Sequence, residues 1–168
     1  LNFSTDVSQM KATVTGGTFD KGFITKNYNA NATVTNADWL TFTGVEPTYA
    51  VTSEADLTAA LAAGGNIVLT KDTAVSAPLT VAKNVAVTLD LGGKVLSHKS
   101  TEAKASCAID NKGDLTIKNG TLTYEGVGDA SNGYGTNTIT NSGNLVIEGA
   151  TVINTTNVGS SNAIDNAP

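Results

Sequence analysis

Ten residues in the second half of the chain come back and then begin a third time. Ala108-Ile109-Asp110-Asn111-Lys112-Gly113-Asp114-Leu115-Thr116-Ile117 returns as Thr138-Ile139-Thr140-Asn141-Ser142-Gly143-Asn144-Leu145-Val146-Ile147, and Ala163-Ile164-Asp165-Asn166 opens a further copy. A short unit with two apolar stretches around a polar turn cannot bury its apolar face alone. Stacking one unit on the next does bury it, so a recurrence of this length predicts stacked coils.

Inward positions can be followed upstream from this repeat. Ile67 and Leu69 with Ala74, Leu89 and Leu91 with Leu96, Leu115 and Ile117 with Leu122, and Leu145 and Ile147 with Val152 form four equivalent sets. Their first members stand 22, 26 and 30 residues apart. A variable interval with fixed apolar pairs excludes a leucine-rich horseshoe, which keeps a tighter length and a fixed Leu/Asn consensus. It fits a parallel β-helix, in which loops bulge between strands without disturbing the stack.

Composition agrees with an all-β chain. Among 168 residues only 15% are charged and 5% aromatic, and Thr, Asn, Ala, Gly, Val and Ser dominate. β-Branched residues suit pleated surfaces, and Asn and Gly suit turns. The net charge is −5, and all ten basic residues are lysines. A chain without arginine lacks the bidentate guanidinium contacts that read nucleic acid, so no nucleic-acid partner is expected. No apolar run approaches roughly 18 residues, so no membrane insertion is expected, and no signal-peptide pattern is present. Cys107 is the single cysteine, which rules out an internal disulfide. It reads as a small buried apolar position.

Two domains are expected. Residues 1–50 alternate in short runs between turn signals, including Lys11-Ala12-Thr13-Val14-Thr15 and Trp39-Leu40-Thr41-Phe42-Thr43, and show no repeat register. They read as a β-rich N-terminal arm or collar used for attachment, with Trp39 in its core. Residues 51–168 read as the β-helix, with a helix cap over 53–64 and coils thereafter. Ser53 is the expected N-cap, Glu54 and Asp56 suit the helix dipole, and Gly64-Gly65 ends the helix. Leu57, Ala60 and Leu61 form the stripe that would cover the open end of the stack. The chain starts at Leu1 and stops inside a repeat, from which a longer parent protein is expected.

The stretch from Val51-Thr52-Ser53-Glu54 through Gly64-Gly65-Asn66-Ile67-Val68-Leu69 to Val87-Thr88-Leu89-Asp90-Leu91-Gly92-Gly93-Lys94-Val95 resembles the entry to a pectate-lyase-like right-handed parallel β-helix. Gly92 departs from that pattern, where Asn is common. The resemblance implies a right-handed stack with a short capping helix over residues 51–168. Because that superfamily spans lyases, hydrolases, adhesins and tailspikes, it implies no single activity. Asn29 through Phe42 is similar to segments of gut bacteriophage fibre proteins, and Asn-x-Asp-Trp-Leu to β-sandwich modules of gut Bacteroidetes proteins.

Residues able to carry chemistry are few. Uronate lyases of the resembled fold use an arginine or lysine base beside an acidic calcium cluster. Here Asp110 and Asp165 hold equivalent repeat positions, but Thr140 interrupts them. Asp110 and Asp114 read as turn residues, because no Asp-x-Asp-x-Asp loop is present. Paired carboxylates for glycoside hydrolysis must face each other, and Asp90, Asp110, Asp114, Glu125, Asp129 and Glu148 cannot be assigned to one face from spacing. Asp90 is expected to point outward. His98, the sole histidine, reads as an exposed turn residue, and no Gly-x-Ser-x-Gly elbow accompanies it. No catalytic residue, metal or cofactor is therefore assigned. Asn111, Asn141 and Asn166 recur after Ile and read as a structural turn column, using the tolerance of Asn for left-handed backbone and its ability to bond coil to coil. Tyr124, Asp129, Asn132 and Tyr134 in the longest coil are the candidate glycan contacts, since rings offer flat apolar area and amides give directed bonds.

These features lead to the expectation of a non-enzymatic attachment or stalk module of a surface fibre, with phage virion fibre as the leading setting. It would be a homotrimer, contacting capsid or tail proteins through residues 1–50 and host or mucosal glycans through its coils. Its place would be the virion surface or the cell exterior. The alternatives are a bacterial adhesin, or the first part of a polysaccharide lyase or glycoside hydrolase with catalytic coils beyond Pro168.

Overall fold

The computed structural model describes residues 12–15, 40–43, 48–102, 104–127, 135–156 and 160–166. The chain divides into two compact units, Leu1–Tyr49 and Ala50–Pro168. In the first, β1 (Ala12–Thr15) pairs in parallel with β2 (Leu40–Thr43). Trp39 lies outside the described residues.

β3 (Thr48–Val51) leads into the second unit and lines up beside β4 (Gly65–Leu69). Between them stands α1 (Glu54–Ala63), the one helix among the described residues. The Ser53 hydroxyl accepts the Asp56 amide at 3.1 Å, and Gly64 at φ 77° ends the helix while its own amide bonds Ala60 O. Leu57, Ala60 and Leu61 are buried, and the helix packs on the strands β4, β5 (Thr73–Val75) and β6 (Leu79–Val81). Each of these strands stands near the start of a row of paired strands, so the helix covers that end of the rows. No described helix is long and apolar enough to cross a membrane.

The remaining strands are β7 (Ala86–Asp90), β8 (Val95–Lys99), β9 (Ser106–Asn111), β10 (Asp114–Glu125), β11 (Thr136–Asn141), β12 (Asn144–Asn154) and β13 (Asn162–Asn166). From β4 onward the pairings are parallel, and they fall into three rows. The first row is β4, β7, the start of β10 and the start of β12. The second is β5, β8, the end of β10 and the end of β12. The third is β6, β9, β11 and β13. One pass through all three rows makes a coil. The long strands β10 and β12 change row at a left-handed residue, Asn119 (φ 51°) in one and Gly149 (φ 63°) in the other. These two are equivalent, because Lys118 faces Glu148 and Gly120 faces Ala150. Asn and Gly are the residues that reach this backbone region at least cost.

Registers place Ile67, Leu89, Ile117 and Ile147 side by side, all pointing inward. Leu115 and Leu145 align with Val87 and Gly65 instead. The sets expected from sequence spacing are therefore offset by two residues in the first two coils. The cause lies in the turns after β4 and β7. Asp90 faces Lys118 and Val95 faces Thr121, so the second coil carries two more residues between its strands than the third. Val68 faces Asp90 and Thr73 faces Leu96, so the first carries one more than the third. A second correction concerns Ala74, which is exposed, whereas Thr73 at 6% exposure takes the inward place beside Leu96. In the third row, two consecutive residues are buried in each of two strands, Ala108-Ile109 and Thr138-Ile139. The register runs through them without an extra residue, since Ser106 faces Thr136 and Ile109 faces Ile139.

Candidate functional site

The recurrent asparagines sit on the inside of the third row. Asn111 Nδ2 donates to Asn141 Oδ1 at 2.6 Å, and Asn141 Nδ2 donates to Asn166 Oδ1 at 3.0 Å. Asn111 Oδ1 also accepts the Gly113 amide at 3.2 Å, and Asn141 Nδ2 reaches Gly143 O at 3.1 Å. The Asn111 and Asn141 side chains thus bond both the next coil and their own turn. Their backbones are strand ends rather than left-handed: among the described residues, the only non-glycine positive φ values are at Asn84 and Asn119. The left-handed role expected of this column therefore belongs to other asparagines.

Two placements expected from the sequence are overturned. Tyr124 is fully buried, so it is no surface contact. β10 runs on to Glu125, and alternation from Leu122 carries Tyr124 inward; its hydroxyl is buried without a hydrogen-bond partner. His98 is likewise not an exposed turn residue. β8 continues through Lys99, so alternation from Leu96 turns the ring inward to 4% exposure. His98 and Tyr124 are neighbours in register, with ring centroids 5.3 Å apart. The other candidate contacts, Asp129, Asn132 and Tyr134, lie outside the described residues.

The acidic residues are dispersed and engaged. Asp90 accepts the Gly92 amide at 2.8 Å and the Asn119 amide group. Asp114 accepts Asn144 Nδ2 at 2.6 Å. Glu125 pairs with Lys99 at 2.6 Å, and Glu148 with Lys118 at 2.9 Å. Asp110 and Asp114 fall in different rows, in β9 and at the start of β10, rather than in one turn. Among the described residues no three His, Cys, Asp or Glu side chains come together as a metal site.

Sequence spacing did not reveal a trough on the outer side of the third row. Registers align Thr80, Asp110, Thr140 and Asp165 in one column. Beside it, Cys107 aligns with Asn137 and Asn137 with Asn162. Asn137 Nδ2 donates to Asp165 Oδ2 at 3.1 Å and to Thr140 Oγ1 at 3.3 Å. Asp110 carries an ion pair to Lys112 at 2.7 Å. That pair raises the Lys112 pKa, through its hydrogen bond to Asp110 first. Burial pushes the Cys107 thiol pKa up from 9.0, so this sulfur stays protonated and unreactive at neutral pH. Two adjoining cavities follow the column, of about 470 Å³ and about 340 Å³. The first spans the corner between the second and third rows and includes His98 in its lining; the second continues past Asn137 and Thr140. The signal for this trough is present in the equivalent positions Asp110, Thr140 and Asp165. As a carboxylate series it is broken, but as an alternation of hydroxyl and carboxylate it is regular.

No protein-family model matches the chain, and no curated protein or solved structure matches it either.

Proposed function

We propose that residues 51–168 form a right-handed parallel β-helix that serves as a rigid, non-enzymatic stalk in a surface fibre. The observation that carries this reading is where the recurrent residues sit. Ile109, Ile139 and Ile164 align in one column, Asn111, Asn141 and Asn166 in another, and Leu115 with Leu145 in a third. The constant positions are thus the ones that stack coil on coil, and the variable ones face out. Three rows visited in the same order, all parallel, fit a helical winding of strands. Right-handedness follows the rule that holds for about 98% of parallel crossovers. The capping helix supports the reading as well, since it shields the end strands of a stack from unwanted pairing.

In this reading the fibre is a homotrimer on a virion or cell surface. Residues 1–50 join it to capsid or tail proteins, and the outer faces of the coils meet glycans. The mass of the native assembly and its outline by electron microscopy test the stalk. A trimeric rod is expected; a compact monomer overturns it. Incubation with capsular polysaccharides tests the absence of enzymatic action. Intact polymer is expected, and depolymerisation overturns the non-enzymatic reading.

A further inference from the structure

We propose that the trough on the outer side of the third row is a binding site for a neutral, polyhydroxylated chain, an oligosaccharide lying across the strands. This rests on the glycan-contacting stalk described above and gives that contact a place.

Four observations converge there. The two cavities share Ala105, Ser106, Cys107 and Asp110, so they form one trough that crosses three successive coils. The column along it presents a group every strand spacing, about 4.8 Å, a step close to the rise of one sugar in an extended chain. The groups alternate in kind: the Thr80 and Thr140 hydroxyls donate or accept, and the Asp110 carboxylate between them accepts. Sugar hydroxyls need this mixture, because each both donates and accepts.

His98 supplies the third observation. Its Nδ1 lies 2.8 Å from the carbonyl oxygen of Val75. A carbonyl only accepts, so Nδ1 carries a proton and donates it there. The residue is 4% exposed and is one of those that line the trough. Held to Val75 in this way, His98 is a fixed part of the wall. The fourth is charge. Asp110 is paired with Lys112 at 2.7 Å, and Glu102 with Lys104. The cations and anions around the trough answer one another, so a uronate or sulfated chain gains no net attraction and a neutral one loses none.

The test uses the whole protein with hexasaccharides of β-1,4-glucose, α-1,4-glucose and β-1,4-galactose, and with hexagalacturonate and a sulfated hexasaccharide for comparison. Nuclear magnetic resonance of the single histidine reads the trough wall, and calorimetry gives Kd. At least one neutral hexasaccharide is expected to shift the His98 ring signals. Asp110→Asn and Thr140→Val are each expected to weaken that binding tenfold or more, while Thr123→Val in the second row leaves it unchanged. The proposal is overturned if no neutral hexasaccharide moves His98, if only the charged chains do, or if both trough variants bind like the parent. Assembly mass and rod shape are measured without ligand, so a failed trough leaves the stalk standing, and a failed stalk is seen independently of binding.

Discussion

Replacing Asn141 with alanine removes the centre of the asparagine column. Asn141 Oδ1 accepts from Asn111 at 2.6 Å, and Nδ2 donates to Gly143 O at 3.1 Å and to Asn166 Oδ1 at 3.0 Å. A hydrogen bond nets about 1 kcal/mol, and a buried group left without its partner costs about 1–3 kcal/mol. Two of the three losses are softened. Asn111 Nδ2 keeps the Asn144 carbonyl at 2.9 Å, and Asn166 is exposed, so water replaces its partner. Gly143 O and the vacated space carry the rest, giving an expected destabilisation of about 2–3 kcal/mol. Asn166→Ala loses one exposed bond and should cost under about 1 kcal/mol. Asn141→Asp sharpens the test, because it keeps the acceptor but turns a carboxylate oxygen toward Gly143 O and Asn166 Oδ1. Burial and those oxygens disfavour the charged form, so the folded pKa of the new Asp rises above its unfolded value of about 3.9. Its penalty is then full above the folded pKa and fades as pH falls through it, where the protonated carboxyl donates again. Urea unfolding followed by circular dichroism at pH 7 and pH 4 reads the free energies. Hydrogen exchange at the Gly113 amide, which bonds Asn111 Oδ1, reports local opening that a stacked chain can undergo without unfolding throughout. Asn141→Ala within about 0.5 kcal/mol of the parent, or Asn141→Asp losing further stability relative to the parent on acidification, would refute a bonded column.

Three further outcomes rest on single contacts. A Cβ at Gly143 would collide with the carbonyl oxygen of Gly113 and come within 2.8 Å of Gly113 N, so Gly143→Ala should cost more than about 2 kcal/mol in the same denaturation assay; Gly149→Asn should cost far less, because Asn119 already holds the equivalent backbone at φ 51°. Glu54 accepts the Ser76 amide at 2.8 Å, the Ser76 hydroxyl and the Ala77 amide, which hold its pKa below 4.5, the Ser76 backbone bond being the largest cause. A depressed folded pKa contributes stability that is complete above the unfolded value and is lost as pH falls through the folded one. Glu54→Gln should therefore cost about 1 kcal/mol at pH 7, after allowing for solvent screening, and the gap should close in melts below pH 4.5. Tyr124→Phe deletes a buried hydroxyl without a partner and should leave stability unchanged or raise it by up to about 1 kcal/mol in thermal melts.

The sequence by itself determined the β-rich class, the helix and its ends, and which residues recur. Those features rest on local chemistry: the Ser53 hydroxyl caps a helix and Gly64 ends it, whatever else surrounds them. The inward alternation of apolar residues is equally local, as with Leu115 and Ile117 in β10. Register between coils was only partly legible, because turn length is not written in the strands it joins. One extra residue after β4 and two after β7, relative to the third coil, displace the first two sets. How far a strand runs was also hidden. β8 and β10 extend past the apparent turns, and this alone sends His98 and Tyr124 inside. The repeat marks Asp110, Thr140 and Asp165 as equivalent, but tertiary structure makes them one wall of a trough. Thr80, Asp110, Thr140 and Asp165 stand far apart along the chain, and a parallel ladder brings them into one column because pairing fixes neighbours by register rather than by sequence distance.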